Sequence, residues 1–146
     1  AYVLGEHGDS EVLTWSLVSV GGIPLGEYCR LREMDICDEA RATIDEQVRK
    51  AAYSIINGKG ATYYGIGSAI AQLVETILRD QRSILTVSTR HAEVAGVRDV
   101  SLSLPHLIGG QGVIETLYPK LSEAEAGELQ ASAQTLREAI DKLGLR

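Results

Sequence analysis

The sequence predicts one α+β domain, in which long helices and an antiparallel sheet occupy separate stretches of the chain. Two observations support this prediction. Apolar residues recur at helical spacing over residues 38–56 and again from residue 62 onward, whereas residues 83–117 contain three β-prone runs separated by turn residues. Helices and strands that cluster in separate runs, rather than alternating one by one, are typical of an α+β fold.

The chain opens with a predicted strand, residues 1–4, which leads into the turn-rich stretch 5–10. Residues 15–20 are apolar and β-prone and are predicted to form a second strand. The glycines and proline of residues 21–24 end it, because both residue types break regular structure. Since the sequence starts at Ala1, directly inside a strand, we expect this chain to be part of a longer protein.

Two helices are predicted next. The first covers residues 38–56 and is expected to stop at Asn57–Gly58, because both residues tolerate a left-handed backbone. The second begins near Thr62 or Tyr63 and ends at residues 80–82. Its apolar stripe is so broad that burial of most of its circumference is expected.

Three strands should follow, over residues 83–89, 97–104 and 113–117. The last two are separated by the glycine-rich turn 109–112. Strands joined by such short connections are expected to pair as an antiparallel meander.

The final helix has a well-marked start. Ser122 and Glu125 form the S-x-x-E pattern of a capping box. An apolar stripe then continues at steps of four and three residues through Leu129, Ala133, Leu136, Ile140 and Leu143. Gly144 lies just past the expected end.

Composition excludes several classes of function. The 146 residues carry a net charge of −6 with mixed signs, which argues against a nucleic-acid-binding face. No apolar run reaches the length of a membrane span, and no secretory signal opens the chain. Cys29 and Cys37 lack the spacing of a redox or zinc motif, so we expect two free, mostly buried thiols in a reducing cytoplasm.

The segment Gly5–Ser10 (G-E-H-G-D-S) is the first candidate site. Glycines on both sides of His7 let the backbone approach a ligand and aim the ring. An imidazole titrates near neutral pH, which suits proton transfer in either direction. The alternative is a loop histidine that hydrogen-bonds Asp9 or the backbone.

Thr62 is the second candidate, as a small polar side chain at the start of a helix that could line a substrate pocket. The alternative is a simple N-cap. Residues 65–70 begin like G-x-G-x-x-G, but they lack the third glycine and a preceding strand, so we reject a dinucleotide site there. His91 and His106 are expected in solvated loops, and since no histidine pair has metal-ligand spacing, no metal site is predicted.

The Gly5–Ser10 segment resembles the catalytic histidine loop of the lactate/malate dehydrogenase family. Residues 60–67 (G-A-T-Y-Y-G-I-G) are similar to the helix start that lines the substrate pocket in the bacterial L-lactate dehydrogenases of that family. Residues 100–105 and the capped last helix also resemble its C-terminal end. Glu6, where malate dehydrogenases typically have Gly, favours the lactate branch, as does the sequence of residues 62–66.

This resemblance implies an oxidoreductase that interconverts pyruvate and (S)-lactate with NAD as cofactor, the final step of anaerobic glycolysis. It implies that His7 is the proton donor and acceptor, that Thr62 contacts the substrate, and that Ile66 packs near the nicotinamide ring. The alternatives are a malate dehydrogenase-type activity or a non-catalytic module used for oligomerisation.

The resemblance further implies that residues 1–146 are the C-terminal substrate domain of a larger enzyme. The partner would be its own N-terminal Rossmann domain, which should hold the glycine-rich nucleotide loop and the remaining catalytic Asp and Arg residues. A cytoplasmic homotetramer is the expected assembly.

Overall fold

The structure is a computed structural model that describes residues 2–34 and 38–144. Its backbone contacts divide the chain into two compact units. The first unit consists of Ala1–Asp35, Thr86–Pro105 and Leu117–Arg146. The second consists of Ile36–Leu85 and His106–Thr116. Each is described by itself below.

The first unit contains short strands, two helices and most of the core. Its elements within residues 2–34 are β1 (Val3–Leu4), β2 (Val12–Leu13), a 3₁₀ helix (Trp15–Leu17), β3 (Ser19–Val20), β4 (Ile23–Pro24) and α1 (Leu25–Leu31). β1 pairs with β2 and β3 pairs with β4, both antiparallel. The unit ends with a long helix at Glu123–Lys142, which is α4 in chain order.

The second unit contains α2 (Asp38–Lys59) and α3 (Tyr64–Leu78). Three strands then follow and run through both units in the order β5-β6-β7 within one sheet. Their bounds are Ser83–Val94, Val97–Gly109 and Gly112–Thr116. The predicted meander is therefore confirmed, with its first two strands longer than expected because β5 and β6 each extend five residues further.

One hydrophobic core lies in the first unit, between α4 and the strands. Its buried members are Leu4, Val12, Val94, Val97, Val100, Leu102, Leu104, Leu129 and Ala133. The three β6 members at 100, 102 and 104 alternate, as one face of a strand must. Burying such aliphatic side chains stabilises the fold by about 1.5–3 kcal/mol each.

The capping box at the start of α4 is confirmed. The Ser122 hydroxyl accepts a hydrogen bond from the backbone N–H of Glu125, and the Glu125 carboxylate accepts one from the backbone N–H of Ser122. The same carboxylate accepts from the backbone N–H of Ser16 at 2.8 Å and from the Ser16 hydroxyl. Glu125 thus joins the start of α4 to the 3₁₀ helix.

That contact explains an error in the sequence analysis. Residues 15–20 were predicted to form one strand, but Trp15–Leu17 form a 3₁₀ helix and only Ser19–Val20 are extended. The Ser16 N–H is directed to Glu125, 109 residues away, and it is therefore not available to a neighbouring strand. β2, β4 and α1 were also missed, because elements of two to seven residues carry little periodicity.

Two helix boundaries, the end of α2 and the start of α3, differ from the predicted ones. α2 continues through Asn57 and Gly58 and ends at Lys59. Gly60 has φ +80°, so it supplies the left-handed stop that was expected earlier. In α3, the cap position is held by Tyr63 rather than Thr62, and the Tyr63 side chain makes no capping hydrogen bond. The alternative in which Thr62 is a simple N-cap is therefore wrong.

The expected burial of α3 is wrong within this chain. Of its described residues only Thr76 is buried, and Ile66, Ile70 and Leu78 are 58%, 52% and 80% exposed. The apolar stripe exists as predicted, but nothing in the described residues covers it. No described helix is both long enough and apolar enough to cross a membrane.

The two histidines that were predicted to be solvated are buried. His91 lies in β5 and His106 in β6, because both strands continue past the points where the sequence suggested loops. Cys29 is a free, buried thiol on α1, as expected, whereas Cys37 lies outside the described residues.

Candidate active site

The loop that carries His7 connects two strands whose ends are fixed in the core. Leu4 of β1 pairs with Val12 of β2, and both side chains are fully buried. Residues 5–11 therefore form a closed loop, which is tightened by a hydrogen bond from the backbone N–H of Glu11 to the carbonyl oxygen of Gly8 at 3.1 Å. The sequence prediction of a turn-rich segment after the first strand is confirmed.

Gly5 fastens the base of this loop to the sheet. Its N–H donates to the Ser103 carbonyl oxygen at 3.0 Å, and its own carbonyl oxygen accepts from the Ser103 N–H at 2.9 Å. Gly5 has φ +88°, a conformation that strongly favours glycine. The chain can therefore leave β1, bridge to β6 and turn sharply toward His7.

His7 is exposed and lies at a cleft of about 290 Å³. The cleft is lined by Val3, Leu4, Glu6, His7, Glu11, Thr86 and Ser103. The lining combines two aliphatic side chains with five polar ones, and a small molecule that carries a polar oxygen would fit in a space of this size. An imidazole at the opening of such a cleft can exchange a proton with a bound oxygen.

Glu6 and Gly8 shape the loop on either side of the histidine. A side chain at Gly8 would begin 2.9 Å from a Glu6 carboxylate oxygen, so the glycine leaves room for that carboxylate. The Glu6 carboxylate accepts a hydrogen bond from the Ser10 hydroxyl. The residues flanking His7 are thus tied to each other, which restricts how the loop can move.

Thr62 and Ile66 lie in the second unit, at the start of α3. Both are exposed, and Ile66 presents more than half of its side-chain surface to solvent. Near them, the rings of Tyr63 and Tyr64 are 4.7 Å apart, and the Lys59 ammonium lies 5.5 Å from the Tyr64 ring centre. The structure thus leaves both predicted residues accessible.

The segment at residues 65–70 that begins like G-x-G-x-x-G lies within a helix. Gly65 and Gly67 lie inside α3 and not in a loop between a strand and a helix, where phosphate-binding glycines occur. Among the described residues, no group of three or more His, Cys, Asp or Glu side chains is arranged to hold a metal ion.

Sequence reasoning missed the residue that contacts the His7 loop from α4. The Ser132 hydroxyl accepts a hydrogen bond from the backbone N–H of Glu6 at 2.8 Å. One signal was available, because Ser132 falls beside Leu129 and Ala133 on the apolar face of the helix. A polar residue on a buried face needs a partner, but the sequence does not reveal which one.

Comparison with known proteins decides the family. The family profile described as lactate/malate dehydrogenase, alpha/beta C-terminal domain, matches residues 1–144. This chain belongs to that family. Its first unit carries the histidine loop and its second unit the α3 segment, the two regions on which the resemblance was based.

Individual relatives agree with this assignment. The chain is 54% identical over 145 residues to an L-lactate dehydrogenase of Geotalea daltonii, covering 99% of this chain and 46% of that protein. It is 51% identical over 144 residues to one of Thermus aquaticus, with the same two coverages. The chain therefore spans about half the length of the relatives it matches.

A solved structure shows the same fold. A lactate dehydrogenase from a Medee basin deep-sea metagenome library superposes with a TM-score of 0.91 at 38% identity. The match covers 99% of this chain and 46% of that one. The expected fold, an α+β domain like the C-terminal domain of this family, is confirmed.

Proposed function

We propose that this chain is the C-terminal substrate domain of an NAD-dependent L-lactate dehydrogenase that interconverts pyruvate and (S)-lactate. The observation that carries the proposal is the exposed His7 at the cleft, on a loop fastened to β6 and α4. Relatives named L-lactate dehydrogenase share about half of the chain's residues, which supports the lactate branch of the family.

His7 supplies the proton chemistry in this proposal. Reduction of the keto group needs a proton at the oxygen, and a protonated His7 donates it after polarising the carbonyl. In the reverse direction neutral His7 accepts the proton from the hydroxyl of lactate. A positioned acid/base of this kind contributes about 10²- to 10⁴-fold to the rate.

The chain's part in cofactor binding would be apolar. The cofactor would supply the hydride as NADH in pyruvate reduction and accept it as NAD⁺ in lactate oxidation. Ile66 fits a place beside the nicotinamide ring because its aliphatic side chain is exposed in the first turn of α3. Thr62, two residues before that helix, would contact the substrate and help select its side chain. The nucleotide phosphates would be held by an N-terminal Rossmann domain outside this chain.

The exposed apolar residues of α2 and α3 support contacts with two kinds of protein partner. On α2 and α3 the exposed large apolar residues are Ile44, Val48, Tyr53, Ile55, Ile56, Tyr64, Ile66, Ile70, Val74 and Leu78. Single exposed apolar residues are ordinary, but ten on two consecutive helices favour a covered face. We propose that the Rossmann domain and neighbouring subunits of a cytoplasmic homotetramer cover it.

The test is the substrate preference of the full-length protein. We expect NADH oxidation with pyruvate, with kcat/KM at least tenfold above that for oxaloacetate. A preference for oxaloacetate would assign the malate dehydrogenase-type activity instead. A folded, oligomeric protein that turns over neither keto acid would identify a non-catalytic module.

The domain assignment has its own test. The isolated 146-residue chain should oxidise no NADH at saturating pyruvate, because positioning of both reactants accounts for much of an enzyme's rate. Mixing it with the separately produced N-terminal half should restore turnover. Activity of the isolated chain alone would contradict the proposal that the site is divided between two domains.

A further inference from the structure

Ser132 of α4 is a buried polar side chain at the contact between the helix and the His7 loop. It is 0% exposed, and it lies beside Leu129 and Ala133, which belong to the core. Burying a hydroxyl group without hydrogen-bond partners costs free energy, so a buried serine is expected to be hydrogen-bonded. Its side chain hydrogen-bonds residues 6 and 10, on either side of His7.

These contacts form a closed ring of hydrogen bonds. The Glu6 N–H donates to the Ser132 hydroxyl oxygen at 2.8 Å, and the Ser10 hydroxyl donates to the Glu6 carboxylate. The two serine hydroxyl oxygens are 3.3 Å apart. The Ser10 hydroxyl therefore lies within hydrogen-bond distance of two acceptors, the Glu6 carboxylate and the Ser132 hydroxyl oxygen.

The backbone beside this ring approaches α4 closely. A Cβ atom on Gly5 would lie 2.5 Å from the Ser132 hydroxyl oxygen and 3.1 Å from its Cβ. The loop therefore rests directly on Ser132, without an intervening side chain. A displacement of the serine is transmitted to the backbone of Glu6, the residue that immediately precedes His7.

We propose that Ser132 is a positioning residue that sets the orientation of His7 toward the substrate oxygen. This inference rests on the proposed function, because it assigns Ser132 a role in proton transfer through His7. Ser132 does not line the cleft, so its effect passes through Glu6 and the loop backbone. Reacting groups displaced by about an ångström lose up to about 10²-fold in rate, so a loosened loop lowers kcat.

The test compares three variants of the full-length enzyme. Ser132→Ala removes the acceptor of the Glu6 N–H and should lower kcat per active site about tenfold, while KM for NADH stays within about twofold. Ser10→Ala opens the ring but keeps the Glu6 bond, so its loss of kcat should be smaller. Ala133→Gly is the matched control, since it removes one buried methyl group from the same helix without touching the loop.

Hydrogen exchange of the peptide covering residues 2–10 gives a readout that does not depend on activity. Ser132→Ala should speed exchange of the Glu6 amide at least about tenfold, because that N–H loses its buried acceptor, whereas Ala133→Gly should leave it slow. Wild-type kcat with unchanged protection in Ser132→Ala would overturn the positioning role.

The variant His7→Gln separates the two hypotheses. Loss of turnover in His7→Gln together with wild-type kcat in Ser132→Ala overturns the positioning role alone. Full turnover in His7→Gln overturns the proposed function, and the positioning role with it. If Ser132→Ala does not fold, Ser132→Cys carries the test, because a thiol is a weak acceptor for the Glu6 N–H, and a wild-type kcat in that variant, with unchanged exchange, contradicts the proposal.

Discussion

The two units of this chain use their apolar residues in opposite ways. In the first unit, Leu4, Val100 and Leu102 are at most 1% exposed, within a core that the chain itself completes. In the second unit, Ile70 and Leu78 on α3 are 52% and 80% exposed. Both regions follow the apolar patterns that their secondary structure requires, so the pattern alone does not decide burial. Burial also requires a covering surface, which the described residues provide for the first unit's core but not for α3.

The largest expected effect sharpens this contrast directly. In the isolated chain, Leu102→Ala should lower the free energy of unfolding by about 2–5 kcal/mol, because it leaves a cavity in a filled core. Ile70→Ala should cost less than about 1 kcal/mol there, since its side chain is already half in water. Urea denaturation of both variants measures the difference. Equal costs in the isolated chain would show that α3 is covered after all.

The same pair of variants should behave differently in the full-length protein. If a Rossmann domain and neighbouring subunits cover α3, Ile70→Ala should then approach the cost of Leu102→Ala. A cost that stays below about 1 kcal/mol in the full-length protein would contradict the proposed cover.

Two left-handed glycines give the next comparison. Gly5 has φ +88° and Gly60 has φ +80°, so alanine at either position should be strained by about 1–2 kcal/mol. A Cβ atom at Gly5 would also overlap Ser132, whereas nothing lies within 4 Å of one at Gly60. Gly5→Ala should therefore cost a further 1–3 kcal/mol or so. Thermal unfolding of both variants measures these costs. Equal costs would show that the first unit can accommodate the added methyl group at Gly5.

The carboxylate of Glu125, in the first unit, should make the stability of the fold depend on pH. Burial acts to raise the pKa of its carboxyl, but hydrogen bonds from Ser16 and Ser122 outweigh burial and leave the pKa lowered. A lowered pKa stabilises the fold above the ordinary glutamate value of about 4.3, and this contribution is lost as the pH falls through the folded-state pKa. Glu125→Gln should cost about 1–3 kcal/mol at pH 7, since hydrogen bonds to a charged group are lost.

That cost should shrink as the pH falls through the folded-state pKa of Glu125, because the wild-type carboxyl is then protonated too. Denaturant titrations at pH 7 and at a pH low enough to protonate the folded carboxyl measure the change. A stability difference that is the same at both pH values would show that the Glu125 charge does not contribute.

The smallest expected effect on stability is at Thr62. Because Tyr63 holds the cap position of α3 and Thr62 is exposed, Thr62→Gly should change the free energy of unfolding by only a few tenths of a kcal/mol. If Thr62 lines the substrate pocket, the ratio of kcat/KM for pyruvate to that for a bulkier 2-keto acid should fall. An unchanged ratio in the full-length enzyme would remove Thr62 from the pocket.

Local signals in the sequence predicted much of this fold. The capping box at Ser122 and Glu125, the three-stranded meander and the loop around His7 depend on neighbouring residues, and each was found. What was missed depends on partners far away in the chain. Ser16 lies in a 3₁₀ helix and donates its backbone N–H to Glu125. His91 is buried because β5 continues through it.

The same distinction between local and long-range signals applies to the candidate site. His7 could be proposed because glycines, a histidine and a resemblance coincide in six residues. Ser132 could not, because its partner Glu6 lies 126 residues earlier and only the fold brings them together. The roles of Thr62 and Ile66 still rest on the resemblance, since the structure shows them exposed without showing what they contact.

The most direct test of the account is a single-turnover measurement on His7→Gln in the full-length enzyme. NADH binding, followed by its fluorescence, should be unchanged because the proposal places His7 at the substrate oxygen. The rate of NADH oxidation by bound pyruvate should fall by at least about 10²-fold, the contribution expected of a general acid. A variant that binds NADH normally and keeps more than a third of the wild-type rate, with the chemical step rate-limiting, would contradict the assignment of His7.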